Sequence, residues 1–297
     1  MKGLRTIPRC ALFLVLAAVT VLAGGCATAP YTGRQQVLMV SQEQELALGY
    51  QAFQQLKAHS RPAQDPRLQE MARRVGERLA RAAARPDFRW EFVVFQNDRM
   101  ANAFCLPGGK VGIYTGLFKY IKSDADLATV MAHETAHVLA RHAGERVSQR
   151  TMSQLGGMLL GVGLAAARVP APAGQVAQMG YGLGSQVGVL LPYSRLQEAE
   201  ADRIGLILMA KAGYDPEDAV RFWERFAAAK KDKLALPEFL SSHPSDAERI
   251  RQLRAALVEA KRYYVATAPE TMPAGPPGSP QAKKSEPFPP PSPPRGK

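Results

Sequence analysis

Ser123-Asp124-Ala125-Asp126-Leu127-Ala128-Thr129-Val130-Met131-Ala132-His133-Glu134-Thr135-Ala136-His137-Val138-Leu139 is the segment from which the rest of the chain can be placed. Ser123 with Asp126 reads as a helix start, and Leu127, Val130, Met131, Val138 and Leu139 supply the apolar residues that surround the histidine pair. In such a helix His133 and His137, four residues apart, share one face, so both imidazoles reach a single metal ion while Glu134 flanks it. A five-residue pattern recurs by chance. It gains weight here because the host segment is independently readable as a helix and because a third ligand can be found.

That ligand should come from a separate helix. Ser194 with Gln197 reads as another helix start, and its first two turns carry Glu198-Ala199-Glu200-Ala201-Asp202. Glu198 and Asp202 lie on one face, so one can bind metal while the other holds a ligand histidine; Glu200 points elsewhere. The helix macrodipole favours acidic residues at any helix start, which explains the charges but not their pairing with a metal-binding helix. The spacing suits zinc, which with three protein ligands keeps its fourth position for water. A structural zinc site would be closed and cysteine-rich, and this one is neither.

Four more helix starts are legible at Ser41 with Gln44, Asp65 with Pro66, Asp215 with Pro216, and Ser245 with Glu248. The strand signal is confined to Trp90–Phe95 and, after the turn formers Pro107-Gly108-Gly109, to Val111–Thr115. A small sheet between helical segments is therefore expected. The stretch Leu155–Leu191 is rich in glycine and aliphatics, nearly free of charge, and broken by Pro170 and Pro172. It suits a mobile flap or partner-facing hairpin as well as it suits a pair of buried helices. His142 is expected on the helix of the two ligand histidines but turned well away from them, and His59 in a polar linker.

The chain ends differ in kind from its middle. Lys2, Arg5 and Arg9 precede an apolar run from Ala11 to Ala23, too short for a membrane-spanning helix and suited to an export signal over residues 1–25. Leu22-Ala23-Gly24-Gly25-Cys26 resembles a lipobox, which makes Cys26 the expected site of cleavage and lipid attachment; cleavage after Ala27-Thr28-Ala29 is the rival and would leave Pro30 first. Residues 267–297 hold eleven of the 23 prolines and predict an extended tail, leaving residues 26–266 as the folded domain. Of the net charge of +12, three positive charges lie in the signal and a net two in the tail, leaving a moderate +7. No basic patch interleaved with aromatics points to nucleic acid. With Cys10 in the signal and Cys26 lipidated, Cys105 has no intramolecular partner and reads as a small buried hydrophobe.

These features resemble metallopeptidase family 48, a gluzincin family, in its periplasmic lipoprotein subgroup. The resemblance rests on the His-Glu-x-x-His helix, on Glu198 and Asp202, on Asn102-Ala103-Phe104 leading into Pro107-Gly108-Gly109, and on His243-Pro244 and Arg249, and it spans roughly residues 31–262. It implies an α+β fold, a mainly helical zincin-like domain with a small antiparallel sheet, holding one zinc ion per chain on His133, His137 and Glu198. It further implies that Asp202 orients a histidine and that Glu134 activates water. His243 would lie near the metal, as a removable fourth ligand or a transition-state donor, with Arg249 beside it as a second candidate oxyanion donor. Zinc-dependent endoproteolysis of misfolded or unassembled envelope proteins is then expected, at the periplasmic face of the outer membrane. Polypeptide substrates would add as a strand near Ala103–Leu106, and envelope assembly machinery is a candidate partner. The rival is a lipoprotein chaperone that holds clients on a peptidase fold.

Overall fold

The computed structural model describes residues 26–229 and 247–264 together with Phe239 and His243. The expected signal, the proline-rich tail and the helix start at Ser245 lie outside these residues. Two short strands, β1 (Cys26–Thr28) and β2 (Gln35–Val37), form an antiparallel pair. Helix α1 (Gln42–His59) opens on a complete capping box: Ser41 Oγ accepts from Gln44 N, and the Gln44 side chain accepts from Ser41 N. Helix α2 (Pro66–Ala83) opens with Asp65 accepting from Arg67 N and with Pro66 in the first turn, where its missing N–H costs nothing.

A three-stranded sheet follows, made of β3 (Glu91–Phe95), β4 (Ala103–Leu106) and β5 (Lys110–Tyr114) in the order β3-β5-β4. It is mixed, because β3 runs parallel to β5 and β4 antiparallel to it. The reversal between β4 and β5 needs φ values of 85° at Gly108 and 75° at Gly109, a region that glycine enters without strain. β4 occupies the sheet edge, and in register Ala103 faces Ile113 and Leu106 faces Lys110.

Helix α3 (Asp124–Leu139) is the centre of the molecule: all its residues except Asp124, Ala125 and Val138 are buried. A helix that is apolar nearly all round must be enclosed, and α3 is flanked by α2, by β4 and by the helix that carries Glu198. Its start is capped by Ser123 Oγ, which accepts from Asp126 N. Helix α4 (His142–Ala166) follows after a break, then α5 (Ala171–Ser185), a π-helical turn (Gln186–Leu190) and α6 (Leu191–Lys211). The expected start at Ser194 is therefore overturned, since that residue lies inside α6. Gln197, which would complete a capping box there, instead donates to Glu145 at 2.8 Å. Helix α7 (Glu217–Ala229) begins after Asp215, which accepts from Glu217 N, and it buries Phe222, Trp223 and Phe226. Helix α8 (Ala247–Ala260) is tied to α6 by the Arg203–Glu259 ion pair.

Candidate metal centre

Two helices packed almost backbone to backbone build the site. A Cβ on Gly205 of α6 would stand 3.2 Å from the His133 backbone nitrogen, so the absence of a side chain there lets α6 approach α3 closely. His133 and His137 project from α3 and Glu198 from α6, and their ligand atoms together with one from His243 all lie within 4.8 Å of one another. His133 Nε2 stands 3.1 Å from His137 Nε2, 3.2 Å from His243 Nδ1 and 3.3 Å from Glu198 Oε2. Glu198 Oε1 is 3.4 Å from His137 Nε2, and Oε2 is 2.7 Å from His243 Nδ1.

These spacings test the fit of a metal. Donors about 2.0–2.2 Å from a tetrahedral zinc stand about 3.3–3.6 Å apart, and the observed separations reach that spacing or fall somewhat short of it. Three ring nitrogens and one carboxylate converge on a single point, where one proton cannot serve them all and a cation can. The electrostatics of His137 and Glu198 suit a cation, whereas at His133 burial is outweighed by the bonds to Asp202 and Glu198, so that its pKa is raised to about 9 and it must release a proton to bind one. Burial keeps His137 well below the usual imidazole range, hence neutral, the form that binds metal. Burial alone would push the Glu198 carboxyl up, but hydrogen bonds from His133, His137 and His243 outweigh it and hold the group anionic.

Around this group the partners are specific. Asp202 Oδ1 accepts from His133 Nδ1 at 2.9 Å, which leaves Nε2 for the metal. Arg249 clamps the same carboxylate, Nε to Oδ2 and Nη2 to Oδ1, both at 2.7 Å. The charge of Arg249, followed by the bond from His133, overcomes the burial that would raise the Asp202 carboxyl and keeps it below the usual range. Arg249 Nη1 also donates to the His243 backbone carbonyl, and the guanidinium lies 3.6 Å from the centre of the Trp223 ring. Arg249 thus donates to the Asp202 carboxylate and to the His243 backbone, contacts that suit a positioning role beside the oxyanion role expected of it. Glu134 is buried, its Oε1 has no hydrogen-bond partner among the described residues, and His243 Nε2 lies 3.4 Å from that oxygen. Burial pushes its carboxyl up, toward the range a general base needs.

His142 overturns its expectation. It faces His137, ring nitrogen to ring nitrogen, at 2.8 Å, and its Nε2 donates to Glu200 Oε2 at 3.0 Å. The phase of a continuous helix does not apply, because Arg141 breaks α3 from α4 with φ at 55° and restarts the count at His142. Glu200 does point away from the metal group, as expected, but toward this backing network. Arg34 joins it, bonding Glu200 at 2.8 Å and Glu145 at 2.7 and 2.8 Å, and Thr32 donates to the other Glu200 oxygen. The N-terminal strand pair is thereby wired to a candidate metal ligand. No local signal announced this: Arg141 is held in its left-handed conformation by tertiary bonds to Glu45 and to the Val40 carbonyl. Cys105 is half-buried on β4 and its thiol is pushed up by burial, in keeping with an inert role.

The family model described as Peptidase family M48 matches residues 63–257. The mitochondrial metalloendopeptidase OMA1 of Schizosaccharomyces pombe is 40% identical over 189 residues, covering 63% of this chain and 52% of that protein. OMA1 of Saccharomyces cerevisiae is 30% identical over 273 residues, covering 83% and 75%. The beta-barrel assembly-enhancing protease of Escherichia coli K12 is 30% identical over 256 residues, covering 81% and 51%. The chain thus spans about half the length of the first and last of these relatives.

Proposed function

The chain belongs to peptidase family M48, and from that membership we propose that it is a zinc-dependent endopeptidase acting on misfolded or unassembled cell-envelope proteins. The observation that carries the activity is the convergence of His133, His137, Glu198 and His243 within 4.8 Å, with the Glu134 carboxylate beside them. When bound, zinc supplies Lewis-acid polarisation of the scissile carbonyl and lowers the pKa of water. His133, His137 and Glu198 are its protein ligands, and Asp202 and Arg249 fix the His133 ring. Glu134 accepts the proton of the attacking water and hands it to the leaving amine. His243 Nδ1 sits inside the donor set, which supports a removable fourth ligand in the resting state. Its displacement would free the ring to donate to the developing oxyanion. An extended polypeptide pairs with β4, an edge strand that packs against α3, so backbone bonds select for unfolded substrate with little sequence demand.

Two experiments test this. Purified protein should hold near-stoichiometric zinc and digest casein until a zinc chelator is added, and His137→Ala should lose the metal. Equal zinc in both proteins would overturn the ligand assignment, and a zinc-loaded wild type that never cleaves but suppresses client aggregation would favour a chaperone. For localisation we propose a lipid on Cys26 and the periplasmic face of the outer membrane. The name of the Escherichia coli relative, beta-barrel assembly-enhancing protease, supports an envelope setting. Cys26→Ser should shift electrophoretic mobility, and unchanged mobility would remove the anchor.

A further inference from the structure

Large apolar side chains crowd the surface of α4 and α5, where a protein in water would place polar ones. No residue between Gln149 and Gln197 is buried. Leu159 is 72% exposed and Val176 70%, with Met158, Val162 and Met179 at 67% each. On α4 the apolar residues Leu155, Met158, Leu159 and Val162 recur at helical spacing, as Val176, Met179 and Leu183 do on α5, so each forms a stripe.

The seam between the two helices has the opposite character. Tyr181 donates to the Ser153 carbonyl at 3.0 Å, Gln178 donates to the Gly157 carbonyl at 3.1 Å, and Ser153 Oγ meets Ser185 Oγ at 3.1 Å. Gly156 and Gly161 leave the space that Tyr181 and Gln178 fill. Small residues and interhelical hydrogen bonds inside, with bulky aliphatics outside, invert the pattern of a hairpin in water. The same arrangement is how helices associate within lipid.

Charge is placed to match. Between Arg150 and Arg195 the sole charged residue is Arg168, at the turn joining α4 to α5. Arg146, Arg150 and Arg195 stand at the other end, with no acidic residue between Glu145 and Glu198. Among the described residues none of these four arginines takes part in an ion pair. We propose that the α4–α5 hairpin lodges in one leaflet of an anionic bilayer, its aliphatic stripes in the acyl layer and its arginines at both ends on the phosphates. No described helix is long and apolar enough to cross a membrane, so the hairpin enters the leaflet without spanning it. A protein partner would cover one patch; lipid covers the outward faces of both helices at once. The proposal depends neither on acylation of Cys26 nor on the metal.

The test uses the full chain throughout, so that any contribution of the N-terminus is common to every variant. Vesicles of phosphatidylglycerol and of phosphatidylcholine are compared. Leu159→Trp should be quenched by lipids brominated along the acyl chain, beyond the background of Trp90 and Trp223. The pair Leu159→Asp and Val176→Asp, at exposed sites, should keep its circular dichroism and bind vesicles at least about tenfold more weakly. The pair Arg150→Gln and Arg195→Gln should lose about tenfold on anionic vesicles and nothing on neutral ones. Unquenched Leu159→Trp, or unaltered vesicle binding by the aspartate pair, would overturn the proposal. So would an aspartate pair that dissociates a dimer while binding vesicles as before, since the occupant would then be a second copy of the chain.

Discussion

The α3–α6 contact and the α4–α5 hairpin are joined by one nearly continuous run of helix, yet they break the ordinary rule of burial in opposite directions. At the first, charge is taken inside: Asp202 and Arg249 are both 5% exposed, and Glu145 and Glu200 share Arg34 behind His137. At the second, apolar surface is left outside, and from Arg150 to Leu196 no residue is buried. Burying ionised groups is costly unless each is matched, so the first region shows selection for a fixed array of donors. Exposing so much aliphatic surface is equally costly in water, so the second shows adaptation to a phase other than water. The pair of departures separates where chemistry is done from where the chain is held.

The sharpest way to break this contrast is to unmatch the buried charge. Asp202→Ala leaves Arg249 buried without its carboxylate, and breaking a buried pair in this way costs about 3–5 kcal/mol. Urea denaturation of the metal-free protein should register that loss, because there the change cannot be attributed to weaker zinc binding. A loss under about 1 kcal/mol would mean that Arg249 reaches water and that the region is not the closed array described. Next in size is Glu134→Gln, which keeps shape and removes the base. Casein cleavage should fall by at least about 10²-fold with zinc content and thermal stability unchanged, whereas parallel loss of zinc would make Glu134 a ligand.

How far each region could be read beforehand follows from where its determinants lie. The capping box at Ser41 and the cap at Ser123 are local bonds between residues three apart, and both form as their sequences state. His133, His137, Glu198 and Asp202 are legible for a related reason, since helical spacing alone puts each pair on one face. Ser194 misleads because Gln197 finds a better partner, Glu145, in another helix. His142 was hidden by a break in the helix at Arg141, which tertiary contacts hold in a left-handed conformation. The apolar run Leu155–Leu191 stayed ambiguous between flap and buried pair because such a run does not state its environment; it lies in a pair of helices, and none of its residues is buried.

His142 offers a finer test of the buried array. Its ring bridges His137 and Glu200, and partners that orient a ligand histidine typically change metal affinity about 10–100-fold. His142→Phe fills similar space without either bond. Competition against a chromophoric chelator should show weaker zinc binding within that range, with stability of the metal-free protein nearly kept. Unchanged zinc affinity would make the network a structural tie between the N-terminal strands and α6.

The smallest expected effect belongs to the hairpin and sharpens the comparison from its other side. Val176 is 70% exposed and sits on a helix with no buried residue, so Val176→Ser in water removes few contacts. Surface changes of this kind usually stay within about 0.5 kcal/mol, and serine and valine have similar helix propensities. Urea denaturation without lipid should therefore barely distinguish Val176→Ser from wild type, where truncation of a buried side chain of the α3–α6 core such as Ile204→Ala should cost about 2–5 kcal/mol. A cost above about 1 kcal/mol for Val176→Ser would mean that the hairpin folds back as part of the core, and the distinction between the two regions would collapse. Near-neutrality in water combined with weaker vesicle binding would show that this side chain contributes to attachment and not to folding.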